Sequence, residues 1–330
     1  MSYYNRLYIK TSYCIKILIL YNYNMDIKQV IIWGHKTPGH THYWIHYAFE
    51  RAFKYLQYNV IWVNDNQLSL SLIDLTIPSL FLTEGQVDKF IPLDNKNYYI
   101  IHNCKVEKYK NIKNVLSMQV YTNTVPLKEN INQYDKCQYY NLNRKKCWMP
   151  WATDLLPNEI QHIINTVQFK NKVNNAFFIG SVWGGPYGNV SEIYKYKKAC
   201  LDKKIPFKSV KGISMSQNIK LIQQSKYAPT IVGEWQKNCG YIPCRAFKNI
   251  SYGGYCLTNS IEVYNLFEGK ICYENDSYKL LDKSIDYIQN LNQQQYYELI
   301  NYVKKKHTYI NRIKFLFFVL NKIKIENNDN

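Results

Sequence analysis

The chain has 330 residues, enough for two domains with a sizeable core in each. With 46% apolar, 16% aromatic and 20% charged residues, it is excluded from the mainly disordered polymers. Lys and Arg number 42 against 24 Asp and Glu, a formal charge of +18 that favours anionic partners such as a nucleotide-linked substrate, nucleic acid or an acidic membrane. Heavy use of Tyr, Asn, Ile and Lys is the mark of an AT-rich coding sequence, so the net charge by itself argues little for DNA binding.

Residues 1–24 read as an extension outside the fold, with Met25 just ahead of the first convincing strand. The run Ile15–Leu20 is short, broken by Lys16 and without a small-residue cleavage site, so it fits neither a membrane span nor a secretory leader. The nine cysteines are odd in number, form no CxxC pair and read as free thiols of a reducing compartment. A cytoplasmic protein without a transmembrane segment is expected.

Gln29 to Trp33 is a short, β-branched apolar run and predicts a buried parallel strand. A loop with two glycines follows, Gly34 to Thr41. Then Ile45, Ala48, Phe49, Ala52, Phe53 and Leu56 recur at helical spacing. Val60 to Val63 predicts a second strand, completing a strand–helix–strand unit with a right-handed crossover. Further strands are expected at 98–101 and 115–121, and the polar stretch from Thr122 to Pro150 reads as loop and linker.

A second alternating series opens at Ala176. A strand over 176–179 runs into a glycine-rich loop, Gly180 to Gly188, and a helix follows with Ser191 as its cap. Strands near 207–210, 228–232 and 255–257 alternate with helices near 216–224 and 243–252. Three more helices are expected near 261–267, 277–291 and 293–306, and a last one begins at Thr308. The series point to an α/β fold of two Rossmann-like domains facing across a cleft. An N-terminal domain at 25–150 and a C-terminal one at 176–320 are expected, joined by a linker at 151–175 and followed by a polar tail at 321–330.

Four constellations carry chemistry. Gly180 and Ser181 open a loop where helix N–H groups and the helix dipole favour phosphate. The loop matches neither G-x-G-x-x-G nor a P-loop, which disfavours NAD binding and P-loop phosphotransfer; a glycine turn without a ligand is the plain alternative. In Tyr241 to Ser260, Arg245 and Lys248 are three residues apart near a helix start and could clamp a diphosphate. A solvated basic face is the plain alternative there. His35, His40, His42 and His46 gather around the first loop and helix. His40 and His42 are candidates for a base near neutral pKa. A zinc site is disfavoured because no carboxylate or cysteine completes a spaced ligand set, and packing histidines remain an alternative. Finally, Trp148 to Asp154 carries two aromatics at the expected domain junction, with Asp154 a cap for a helix near Pro157. Those aromatics pack a hinge or contact an acceptor sugar.

The order Arg245-x-Phe247, Gly253-Gly254, an apolar strand, Thr258-Asn259 and Leu266-Phe267 resembles the C-terminal domain of the glycosyltransferases grouped with the spore-maturation protein CgeB. These belong to the large glycogen-synthase-like branch of the GT-B class. Phe178 to Ser181 and the closing Lys306-His307-Thr308-Tyr309-x-x-Arg312 resemble the same family, so the likeness covers about residues 176–320. It implies a glycosyltransferase, with a nucleotide-sugar donor on the C-terminal domain and a glycan, lipid or protein acceptor on the N-terminal one. Gly180, Ser181, Arg245, Lys248, Asn249, Gly253, Gly254 and Asn259 would line the donor. The family commonly has an acidic ribose ligand where this chain has Lys248, and Glu234 stands as a candidate for its upstream glutamate. No cofactor and no metal are expected, because basic side chains and helix N-termini counter the diphosphate. A non-catalytic binding protein and a DNA-modifying enzyme on the same fold are the alternatives.

Overall fold

The computed structural model describes residues 25–124 and 130–329, so the extension expected at 1–24 lies outside the described residues. The chain forms two compact units. One is made of the described residues of Met1–Gln119, Leu127–Met149 and Tyr309–Asn330, the other of those of Val120–Pro126 and Pro150–Thr308. Both are mixed α/β with parallel strands predominating.

In the first unit, strands β1 (Gln29–Trp33), β2 (Val60–Val63), β3 (Ser79–Glu84), β4 (Tyr98–His102) and β5 (Val115–Gln119) lie side by side in the order β2-β1-β3-β4-β5, all parallel. Helix α1 (Thr41–Tyr55) connects β1 to β2 and buries the face anticipated from its spacing, Ile45, Ala48, Phe49, Ala52 and Phe53; a single-turn helix α2 (Val106–Tyr109) lies between β4 and β5 in sequence. β3 escaped the sequence reading because polar residues bound its apolar middle, Ser79 at one end and Thr83-Glu84 at the other. All six of its residues are buried. The polar ones are satisfied sideways: Gln29 Nε2 donates to Ser79 Oγ at 2.9 Å, and Thr83 Oγ1 donates to the Trp33 carbonyl at 2.9 Å.

The stretch expected to be irregular between 122 and 150 instead carries β6 (Asn132–Asp135), β7 (Gln138–Asn141) and β8 (Lys146–Trp148). β8 pairs parallel with β5, β7 antiparallel with β8, and β6 antiparallel with β7. β6 is an exposed edge, and an edge strand needs no apolar run to persist, so its sequence looks like loop.

The closing helix, Tyr309–Asp329, belongs to this first unit, and residues 321–329 continue it where a polar tail was expected. It packs on α1: Tyr309 meets Phe49 edge-on at 4.6 Å between ring centroids, and Phe317 lies 6.1 Å from Phe53 and 5.9 Å from Tyr58. Ile313, Phe315, Leu316, Phe317 and Val319 are fully buried. A helix that buries most of its circumference has no apolar stripe to show which sheet it covers.

In the second unit, the expected linker holds helix α3 (Pro157–Thr166), whose Ile160 and Ile163 are buried. Its N-cap is Leu156, whose N–H is taken by Glu159 Oε2 at 2.8 Å; Asp154 is engaged elsewhere and does not cap it. Strand β9 (Ala176–Ile179) pairs parallel with β10 (Phe207–Val210), with helix α4 (Val190–Asp202) between them in sequence. The cap of α4 is Asn189 rather than Ser191. Asn189 makes no side-chain cap bond and instead staples the preceding loop, accepting from Trp183 N–H and donating to the Ser181 carbonyl, each at 3.2 Å.

Helix α5 (Met215–Gln224) opens on a capping box formed by Ser214 and Gln217. Strands β11 (Pro229–Thr230), β12 (Leu257–Thr258) and β13 (Cys272–Tyr273) form a second parallel sheet. Around it are α6 (Glu234–Asn238), α7 (Cys244–Ser251), α8 (Ile261–Leu266), α9 (Leu280–Asn290) and α10 (Gln293–Lys306). Pro243 is the N-cap of α7, a place where its missing N–H leaves nothing unpaired.

Candidate functional site

The glycine loop and the late arginine, far apart in sequence, meet in the second unit. β9 ends at Ile179, and Gly180 follows with φ +144°, a conformation that favours glycine. A Cβ on Gly180 would collide with the Arg245 guanidinium, so the absent side chain is what admits the arginine. Arg245 sits in the first turn of α7. Its Nε donates to the Ile179 carbonyl at 2.8 Å and its Nη1 to the Ile231 carbonyl at 3.3 Å, while its Cζ lies 4.0 Å from the centre of the Phe178 ring.

Among the described residues no carboxylate pairs with this guanidinium. Burial pushes its pKa down, opposed only by Cys244 and Tyr241. A cation is thus held at the carboxyl ends of two parallel strands, where such sheets bind ligands, and its Nη2 donors are left over.

The rest of the expected donor set divides. Lys248 does not join Arg245 in a clamp: its Nζ donates to Asp154 Oδ2 at 2.7 Å, and Tyr252 Oη donates to Asp154 Oδ1 at 2.6 Å. Burial works against the ammonium, but Asp154 outweighs it and holds the Lys248 pKa above the ordinary lysine value. Asn249 is buried and donates to the Ala228 carbonyl at 3.1 Å and to Thr230 Oγ1 at 3.2 Å. Gly253, with φ +86°, ends α7, and its carbonyl accepts from Tyr296 Oη at 2.6 Å. Gly254 N–H donates to the Asn249 carbonyl at 2.7 Å.

Asn259 bonds both backbone groups of Val232 and donates to Ser277 Oγ at 3.1 Å. Asn249, Gly253, Gly254 and Asn259 therefore hold the scaffold around Arg245. Ser181 is exposed at the start of a loop that also exposes Trp183 and Tyr187. Glu234 is the first residue of α6, exposed and ion-paired to Lys237 at 2.7 Å. The buried Glu192 was missed: it accepts from Ser277 Oγ and Lys195 Nζ, each at 2.6 Å. Those bonds outweigh burial and hold its carboxyl below the usual range.

The first unit gathers five of the seven histidines at the carboxyl ends of β1, β3 and β4, beside the reversal of strand order between β1 and β3. Gly34 and His35 both have positive φ, +84° and +52°, which turns the chain out of β1 toward Glu84 at the end of β3. His35 Nε2 lies 3.5 Å from Glu84 Oε2. Glu84 is fully buried and also accepts from Gln86 N–H at 3.0 Å and Asn103 Nδ2 at 3.2 Å. The His35 and His40 rings are stacked 4.4 Å apart, and those of His40 and His42 5.1 Å apart.

His42 Nε2 is 2.9 Å from His102 Nδ1, the last residue of β4, and His46 Nδ1 is 3.0 Å from the Gly34 carbonyl. Burial and the neighbouring imidazoles push His42 down to about 2, and burial dominates in taking His46 to about 3 and His102 to about 4. His40 is lowered as well, first by burial and then by His35. Glu84 is held at about 2, because His35, Gln86 and Asn103 outweigh its burial. At neutral pH His42 is therefore an uncharged imidazole with both ring nitrogens against other histidines, not a group poised near 7. Glu84 and His102 were invisible locally; the signal was a polar residue ending each of two buried strand runs, SLFLTE and YYIIH.

Among the described residues no helix is long and apolar enough to cross a membrane. No family model and no curated protein matches the chain. Among solved structures, a glycosyltransferase involved in avilamycin A biosynthesis (AviGT4) aligns with a TM-score of 0.47 at 8% identity, over 91% of this chain and 96% of that one. A likeness that loose fixes neither family nor activity.

Proposed function

We propose that the chain is a glycosyltransferase that moves a sugar from a nucleotide-diphosphate donor to a hydroxyl acceptor by the metal-independent GT-B scheme. The observation that carries this reading is Arg245, a half-buried guanidinium that no carboxylate among the described residues pairs, seated over two strand-end carbonyls beneath Gly180. Glycosyl transfer builds negative charge on the departing diphosphate, and a fixed cation placed in advance lowers the energy of that state. The donor site is narrowed to Arg245 with the backbone of Gly180 and Ser181; Lys248 serves the fold through Asp154. On the acceptor side, a glycan, lipid or protein hydroxyl would give its proton to His40, the exposed member of the imidazole crevice.

The test is calorimetric titration of the full chain with UDP, GDP and inorganic pyrophosphate. Losing a desolvated arginine contact to phosphate is worth about 2 kcal/mol or more, so Arg245→Met is expected to weaken binding about 30-fold or further. A folded Arg245→Met chain with undiminished affinity, or a wild-type chain that binds none of the three, refutes the reading.

A further inference from the structure

We infer that His35, His40 and His42 form a binding site for a borderline divalent transition metal of the Zn²⁺ type. Each offers one ring nitrogen, and the three nitrogens lie within 4.8 Å of one another. Two nitrogens bound to a tetrahedral Zn²⁺ at about 2.05 Å stand about 3.3 Å apart; His40 Nδ1 and His42 Nδ1 are 3.3 Å apart. Imidazole nitrogens select Zn²⁺, Cu²⁺ or Ni²⁺ over Mg²⁺ and Ca²⁺, which take oxygen ligands.

The surroundings fit as well. Metal-binding histidines usually turn their second nitrogen to a carboxylate or another polar partner that fixes ring and tautomer. His35 turns Nε2 to Glu84, 3.5 Å away, and His42 turns Nε2 to His102 Nδ1, 2.9 Å away, which leaves the Nδ1 of His42 toward His40. His35 is held in a left-handed conformation, φ +52°, that few non-glycine residues adopt without a reason.

Coordination needs the metal in the plane of each ring. All three rings are near-parallel, with 9° between His35 and His40, 10° between His40 and His42 and 19° between His35 and His42, so the stack must open on binding. His40, exposed on the loop before α1, and the half-buried His35 are the rings that turn, while His42 stays fixed by His102. The Nδ1 of His40 would exchange the His42 N–H, now 3.3 Å away, for the metal, and a first-turn N–H can pass to water. Three protein ligands leave a fourth position open. The inference stands apart from the glycosyl-transfer reading and meets it at one residue: His40, which would take the acceptor's proton, is also one of the three metal ligands.

The experiment uses the untagged, chelator-treated full chain, titrated with Zn²⁺ by calorimetry and with Co²⁺ by visible absorption. One Zn²⁺ per chain is expected, with a tetrahedral Co²⁺ band. His40→Ala, at an exposed position, should weaken binding at least about 10-fold, and Glu84→Gln about 10–100-fold as loss of a positioning carboxylate. His162→Ala, an exposed histidine on α3, should change nothing. Thermal melts by circular dichroism identify any variant that fails to fold, and His40→Ala decides if Glu84→Gln does. No saturable binding, binding indifferent to His40→Ala, or equal loss in His162→Ala overturns the site. Because no step of this test reads transferase activity, its failure and that of the proposed function are separate events.

Discussion

The reassignment of Lys248 from substrate to scaffold makes a quantitative prediction. Its Nζ is 2.7 Å from Asp154 Oδ2, with 16% of the lysine side chain and 4% of the aspartate exposed. At that separation two unit charges attract by about 6 kcal/mol in an effective dielectric of about 20. Burying both ions takes back several kcal/mol, so the pair adds little on balance, but removing one partner strands the other and costs about 3–5 kcal/mol. Asp154→Asn keeps the volume and an acceptor for Tyr252 Oη while withdrawing the charge. Lys248 keeps some access to water, which sets the loss at the lower end, about 3 kcal/mol. For a unit of this size that corresponds to about 6–12 °C in Tm. The assay is thermal and urea denaturation of wild type, Asp154→Asn, Lys248→Met and the double variant. The double variant should recover most of the loss, since it leaves no stranded charge. A loss below about 1 kcal/mol, or a double variant no better than Asp154→Asn, would refute the account of Lys248 as a charge held by its carboxylate.

Three further outcomes are expected. Gly180→Ala puts a methyl group against the Arg245 guanidinium at a positive φ; it should lower stability by about 1–3 kcal/mol and reduce pyrophosphate affinity along with it, whereas unchanged affinity in calorimetry would separate the loop from the arginine. Phe317→Ala empties the space between the closing helix and the aromatics Phe53 and Tyr58 and should cost about 3–5 kcal/mol in urea titrations; a loss under about 1 kcal/mol would mean that the closing helix is not part of that core. Lys172, bonded through Nζ to the carbonyls of Gln223 and Gly253, has its pKa pushed down to about 8 by burial. Between about 8 and the unfolded value near 10.4 the unfolded chain holds the extra proton, so this lysine makes stability rise with pH in that window. Melts of wild type against Lys172→Met should show a rise that the variant lacks, and identical pH profiles would count against it.

Where the sequence was readable, the information was local. The run QVIIW and the i, i+3, i+4 spacing on α1 dictate a buried strand and a one-faced helix whatever lies elsewhere, and both are found. The family resemblance put Gly180, Arg245 and Lys248 together on the donor; in the structure Arg245 lies against Gly180, while Lys248 turns to Asp154. Failures came where the deciding partner is remote. Nothing near Lys248 announces Asp154, 94 residues earlier, so a neutralised lysine looked like a free one. Likewise the local histidine spacing could not show that Glu84 and His102 complete the crevice, because strand register brings them there. β3 was lost since its end residues find polar partners on β1, which lets a buried strand be polar at both ends.

The closing helix has a consequence for biosynthesis. The chain leaves the first unit at Gln119, returns briefly for Leu127–Met149, spends Pro150–Thr308 on the second, and only then supplies the segment that covers α1. A nascent chain emerging from the ribosome therefore presents the aromatic flank of α1 uncapped while an entire second unit is still being translated. The second unit has all its residues available before the first does, which reverses the usual N-terminal-first order and leaves Phe49 and Phe53 without the closing helix in the interval.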